Sequence, residues 1–156
     1  MMRGPIETRS FLNAEPAHVW ARITTFEGIN DEITPLFRMT APARVRERGL
    51  DDVAIGRRIC RSWVLLFGVL PVDFDDLTLV RLEPGVGFLE QSRMFSQRHW
   101  EHERTIAPAA GGCIVSDRIR YEPRIAMPVA FWRVLYTSVF RHRHRRLQRR
   151  FGGHSL

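Results

Sequence analysis

Two runs of alternating polarity flank the turn signal Ala109-Ala110-Gly111-Gly112 and constrain the fold of this chain more than any other stretch. With the tip at Ala110-Gly111, Glu101 falls opposite Arg120, Glu103 opposite Arg118 and Arg104 opposite Asp117. Opposite charges facing each other across antiparallel strands are worth roughly 0.2–1 kcal/mol each where exposed. Moving the tip one residue on places Glu101 against Glu122 and Arg104 against Ile119, so the first register is favoured. Side chains alternate between the two faces of a strand. One face then carries Glu101, Glu103 and Thr105 with Ser116, Arg118 and Arg120, and reads as solvated. The other carries Trp100, His102, Arg104 and Ile106 with Val115, Asp117, Ile119 and Tyr121. An aromatic and apolar face holding His102, Arg104 and Asp117 together reads as a cavity lining rather than a plain core.

The preceding strand-like run, Val86–Phe95, registers against this hairpin by the same charge logic. A three-residue connection, Ser96-Gln97-Arg98, sets Glu90 beside Arg104 on the inner face and Arg93 beside Glu101 on the outer, whereas a two-residue connection sets Glu90 against Glu103. The expected inner face therefore has Glu90, Arg104 and Asp117 in a row across three strands.

Upstream, Pro5–Leu12 reads as a strand. Asn13-Ala14-Glu15-Pro16 reads as a helix start, with Asn as cap and Pro in the first turn. That helix is expected to reach Phe26 and to break at Glu27-Gly28-Ile29-Asn30, with a second short helix before Pro35. Strands are expected at Phe37–Glu47, Ile55–Val69 and Phe74–Leu82. The last element is a long helix from Met127-Pro128 to Phe151, closed by Gly152-Gly153. Its apolar residues form two adjoining stripes, Phe131, Leu135, Val139 and Trp132, Tyr136, Phe140, Leu147, Phe151.

Charge is concentrated in that helix. Lys is absent, and Met127–Phe151 contains seven Arg and no acidic residue, so it accounts for the whole formal net charge of +7. The rest of the chain is balanced. The longest apolar run, Trp63–Val72, is broken by Gly68 and Pro71 and falls short of the roughly 20 residues a membrane helix needs. The first residues show no apolar signal core, and two cysteines form no framework, so a reducing cytoplasmic location is expected.

The order strand, two helices, six strands, long helix resembles the START-like or SRPBCC superfamily of polyketide cyclase/dehydrase-like and lipid-transport proteins. The residues carrying the resemblance are Ala14-Glu15-Pro16-Ala17-His18-Val19-Trp20, Pro35, Phe88-Leu89-Glu90, Trp100-Glu101-His102, Gly111-Gly112-Cys113-Ile114-Val115-Ser116-Asp117 with Tyr121, and Phe140 with Arg143-His144-Arg145-Arg146-Leu147. Related chains often read Trp-x-His-x-His on the sixth strand, where Arg104 here holds the second His position. The resemblance implies an α+β helix-grip fold: a curved seven-stranded antiparallel sheet around the long C-terminal helix, with two short helices after the first strand. Residues 1–156 are expected to form a single START-like ligand-binding domain.

The expected function is binding of a small, mostly hydrophobic ligand (a lipid, polyketide or other aromatic or isoprenoid metabolite) between sheet and helix, extending at most to cyclase/dehydrase-like catalysis. The expected contacts are Glu90, Trp100, His102, Arg104, Asp117, Tyr121, Phe131, Trp132 and Leu135. The structural alternative for Glu90, Arg104 and Asp117 is an ion network bracing the sheet, and for His102 a hydrogen-bonded core histidine. The alternative function is association with RNA, the ribosome or an acidic membrane through Arg141, Arg145, Arg146, Arg149 and Arg150; a solvated helix end explains the same run. No metal or cofactor is expected, because six scattered His, no Cys-x-x-Cys pair, no nucleophile triad and no phosphate-cradling loop are present.

Overall fold

A computed structural model describes residues 1–156. Its elements, in order, are β1 (Arg3–Leu12), α1 (Pro16–Ile23), α2 (Phe26–Ile33), β2 (Phe37–Met39), α3 (Ala43–Arg48), β3 (Arg58–Leu66), β4 (Leu70–Glu83), β5 (Gly87–Met94), β6 (Gln97–Ala109), β7 (Gly112–Pro123), α4 (Val129–Phe151) and β8 (Gly153–Ser155). The strands form one antiparallel sheet in the order β2-β3-β4-β5-β6-β7-β1-β8. The helix-grip arrangement is the expected one, with eight strands instead of seven. The added strand arises because Gly152 and Gly153, both at positive φ, turn the chain back along β1 after the helix.

The β6–β7 hairpin has the register its charges require, with Glu101 opposite Arg120, Glu103 opposite Arg118 and Arg104 opposite Asp117. The β5–β6 register differs from the expected one by two residues. Glu90 lies opposite His102, and Phe88 opposite Arg104. A slip of two keeps every side chain on its face but changes its neighbours. The chain turns from β5 into β6 earlier than expected, between Met94 and Gln97, and Arg104 meets a carboxylate from α2 instead, as described below.

Three further boundaries depart from expectation. The first helix ends at Ile23, where Thr24 and Thr25 turn their hydroxyls back onto the carbonyls of Trp20 and Arg22. The Thr25 hydroxyl oxygen then accepts from the Gly28 amide and caps α2. Gly28 is thus inside a helix, not a break in one. A Cβ there would lie 1.8 Å from the Arg22 carbonyl oxygen, so the residue is Gly because the two helix ends meet backbone to backbone. The strand expected over Phe37–Glu47 stops at Met39. Pro42 starts α3, whose Val45 is buried and which Gly49 ends at positive φ.

Two apolar clusters fill the interior. One joins Val19, Trp20, Ile23 and Phe26 of the small helices to Leu77, Leu79, Phe88 and Ile106 of the sheet. The other sets Trp132, Tyr136 and Phe140 of α4 on Ile6, Trp100, Ile119 and Tyr121. Along α4 the buried residues Trp132, Tyr136, Phe140, His144 and Leu147 follow the second apolar stripe, continued by one histidine.

Candidate functional site

Between the sheet, α2 and α4 lies a cavity of about 420 Å³, lined by 28 residues of which 22 are hydrophobic. Both stripes of α4 reach it, through Phe131, Leu135 and Val139 and through Trp132, Tyr136 and Phe140. Val72, Ile125 and Phe131 line it while remaining 38–43% exposed, which places its mouth between the β3–β4 hairpin and the start of α4. The polar lining is confined to Asp73, Asp75, Glu90, Ser96, His102 and Arg143.

Of the nine residues expected to touch a ligand, Glu90, Trp100, His102, Phe131, Trp132 and Leu135 border the cavity. Arg104, Asp117 and Tyr121 do not. Tyr121 is packed in the aromatic cluster beneath α4, its ring 5.0 Å from that of Tyr136. Arg104 and Asp117 face inward, as their register demands, but α2 and α4 roof them. The expected row Glu90–Arg104–Asp117 is therefore corrected to a branched buried network.

The network centres on Asp117, which is 1% exposed. Arg104 donates to it from Nε at 2.7 Å and from a terminal nitrogen at 2.6 Å, and donates to Glu32 of α2 at 2.8 and 3.0 Å. Arg143 of α4 also donates to Glu32, at 3.2 Å. His102 Nε2 and His144 Nε2 lie 2.8 and 2.9 Å from the two oxygens of Asp117. An ionised carboxylate only accepts, so both rings present an Nε2–H to it. Ser10 receives a hydrogen bond from Gln148 and completes the His144 side by donating to Nδ1 at 2.8 Å.

Burial alone would raise the pKa of Asp117, but the Arg104 charge and then His102 outweigh it and hold the carboxyl well below its usual range. Glu32 behaves likewise. Burial raises it, and Arg104 and Arg143 together bring it below the ordinary value. These groups join α2, α4, β6 and β7 at the closed end of the cavity.

The cavity side of the network is different. His102 Nδ1 lies 3.7 Å from Glu90 Oε2, too far for a good hydrogen bond. Ser92 donates to Glu90 at 2.7 Å, and Asp75 of the neighbouring strand sets a second carboxyl close to it. Burial would raise Glu90, yet His102, Asp75 and Ser92 bring it below its usual value. Asp75 is pushed well above, by burial first and by the Glu90 charge second. Asp75 Oδ1 is buried without a partner. On the opposite wall the Trp132 indole N–H is likewise buried and unpartnered.

Asp73, Asp75, Arg143 and Glu32 were missed in the sequence. For Asp73 and Asp75 a signal existed, since the period of two in Asp73-Phe74-Asp75-Asp76-Leu77-Thr78-Leu79 puts both aspartates on the face of Leu77 and Leu79. Glu32 gave none, because its partner is 72 positions away. Among the Arg residues proposed for an anionic surface, Arg146 donates to the Asp31 side chain at 2.9 Å and to its carbonyl. Arg141, Arg145, Arg149 and Arg150 are exposed.

No functionally curated protein matches the chain significantly. Solved structures do. Protein CV1439 from Chromobacterium violaceum superposes with a TM-score of 0.73 at 16% identity, over 96% of this chain and 99% of that one. A START superfamily protein from Mycobacterium smegmatis gives 0.68 at 10% identity, over 95% and 97%. DynU16, a protein from the dynemicin biosynthetic locus, gives 0.59 at 12% identity, over 96% of this chain and 49% of that one. At such identities the likeness shows the fold, which is START-like. The family profile of a domain of unknown function, DUF8410, matches residues 10–151, and the chain belongs to that family.

Proposed function

We propose that this protein encloses a small, mostly apolar molecule between its sheet and its C-terminal helix. The observation that carries this reading is the cavity itself. Its volume of about 420 Å³ lies within the range of small-molecule sites, roughly 300–1,000 Å³, and its lining is apolar with few polar groups. Packed protein interiors rarely leave voids much larger than a water molecule, so a space of this size is a feature of the fold's use. The polar side chains on its wall, Asp75, Glu90 and His102 among them, supply the few directional contacts such sites use to orient a ligand.

Residues 1–156 form, on this reading, one ligand-binding domain. The ligand class is a lipid, a polyketide or a comparable aromatic or isoprenoid metabolite, and the locus of DynU16 supports a biosynthetic intermediate among these. Any catalysis would be proton handling at Asp75, Glu90 and His102. The decisive experiment is native mass spectrometry of the purified protein, repeated after denaturation, with Nile red binding as an independent readout of the cavity. A bound mass released on unfolding, or Nile red fluorescence lost in a cavity-filled variant, supports the reading. A protein that carries nothing and does not bind Nile red overturns it.

A further inference from the structure

The three carboxyls on the β4–β5 wall of the cavity stand without a guanidinium, in a chain with 24 basic residues, all Arg. Asp73 is held by the Ser96 hydroxyl and by the amides of Phe74 and Ser96. Glu90 has Ser92 and a distant His102. Asp75 is 4% exposed and its Oδ1 accepts from nothing. The two guanidiniums nearby, Arg104 buried and Arg143 partly buried, are already engaged. Arg104 is divided between Asp117 and Glu32, and Arg143 reaches Glu32 and lies over the Phe140 ring at 5.0 Å. The one other side chain able to carry positive charge at this wall is His102, and it is shared with Asp117 at 2.8 Å, so Asp73, Asp75 and Glu90 stand together with no cation of their own. An unpaired buried carboxylate is unfavourable, and a cation supplied from outside relieves it.

We propose, resting on the cavity reading above, that the ligand is an apolar amine whose ammonium donates to Asp75 and Glu90 while its body lies along Phe131, Leu135 and Val139. A donor placed against this wall meets the carboxyls of Asp73, Asp75 and Glu90, and a charged donor binds carboxylates more strongly than a neutral one. The same wall disfavours the carboxylate of a fatty acid, because a third anion would be set beside Asp73 and Glu90. An apolar alcohol satisfies the acceptor but not the charge, so it ranks between the two.

The test uses the whole protein at neutral pH and a matched series, naphthylmethylamine, naphthylmethanol and naphthoate, displacing Nile red. The expected order is amine, alcohol, carboxylate, with the amine at least about tenfold tighter than the alcohol. Asp75→Asn preserves shape and removes the acid; it should lower amine affinity about tenfold and leave the alcohol within about twofold. Glu90→Gln serves as a second variant should the first not fold. Equal displacement by all three compounds, a preference for naphthoate, or an amine preference that survives both substitutions overturns the proposal while leaving the cavity reading intact. Failure of Nile red itself to bind overturns the cavity reading instead.

Discussion

Replacing Arg104 by Met tests the account of the closed end most directly. The side chain is 0% exposed and its guanidinium makes four hydrogen bonds, two to each of two buried carboxylates. Met occupies similar space without the charge. Breaking a buried ion pair from one side costs about 3–5 kcal/mol, because the remaining charge is left buried. Here neither carboxylate is fully orphaned. Asp117 keeps His102 and His144, and Glu32 keeps Arg143. The lower bound, about 3 kcal/mol, is therefore expected, which for a chain of this size is a fall in Tm of about 10 °C. The pH dependence identifies the cause. In the native sequence both folded pKa values lie below their unfolded ones, so the stability they contribute is present above the ordinary carboxylate range, about pH 4, and is lost as pH falls through the folded values. Without Arg104 burial dominates, the folded values rise above the unfolded ones, and the folded state binds the extra protons. The variant's deficit should then be largest at pH 7.5 and shrink toward pH 5. Thermal unfolding followed by circular dichroism at both values measures it. A loss below about 1 kcal/mol that does not change with pH would refute the reasoning. Replacing the group whole (Glu32→Gln, Arg104→Met, Asp117→Asn) should recover much of the loss.

Other outcomes follow from the same geometry. Gly28→Ala places a methyl 1.8 Å from the Arg22 carbonyl and should cost about 1–3 kcal/mol in urea unfolding, although Ala is normally the better helix former. Val139→Trp should fill the cavity and reduce Nile red binding at least about tenfold with the fold retained, since Val139 is only partly buried and borders the void. Trp132→Phe keeps the aromatic packing and removes a buried, unmet indole N–H, so it should change stability by no more than about 1 kcal/mol in chemical denaturation. Changing Arg141, Arg145, Arg149 and Arg150 together to Gln should alter stability by under about 0.5 kcal/mol per site in chemical denaturation, because all four are exposed and carry no ion pair.

What could be seen in the sequence was what local periodicity and direct opposition decide. The β6–β7 register followed from three charge pairs that face one another, and α4 from its two stripes. Where a residue's partner came from far along the chain, the same logic misled. Charge opposition sets Arg104 beside Glu90, since the other register puts Glu90 against Glu103, whereas its second partner, Glu32, descends from a helix between the first two strands. That omission accounts for Arg104 being placed on the cavity, while the β5 register is displaced because β6 already begins at Gln97. Gly28 was read as a break because a sequence records that a residue is small but not what presses against it. Asp73 and Asp75 were legible and overlooked: two charges with a strand's period on the same face as Leu77 and Leu79 mark an inner wall that is not wholly apolar.

The buried network and the cavity wall use largely separate residues, and this makes the protein a convenient chassis. Arg104, Glu32, Asp117 and His144 bind the helices to the sheet without bordering the void, while Asp73, Leu77, Met94, Leu135 and Val139 border it without joining the network. Recognition can then be redrawn by combinatorial libraries confined to the second set, with the fastening of the helices left untouched. Only Glu90, His102 and Arg143 belong to both, so these three positions are the ones a designer must hold constant while everything else facing the ligand is varied.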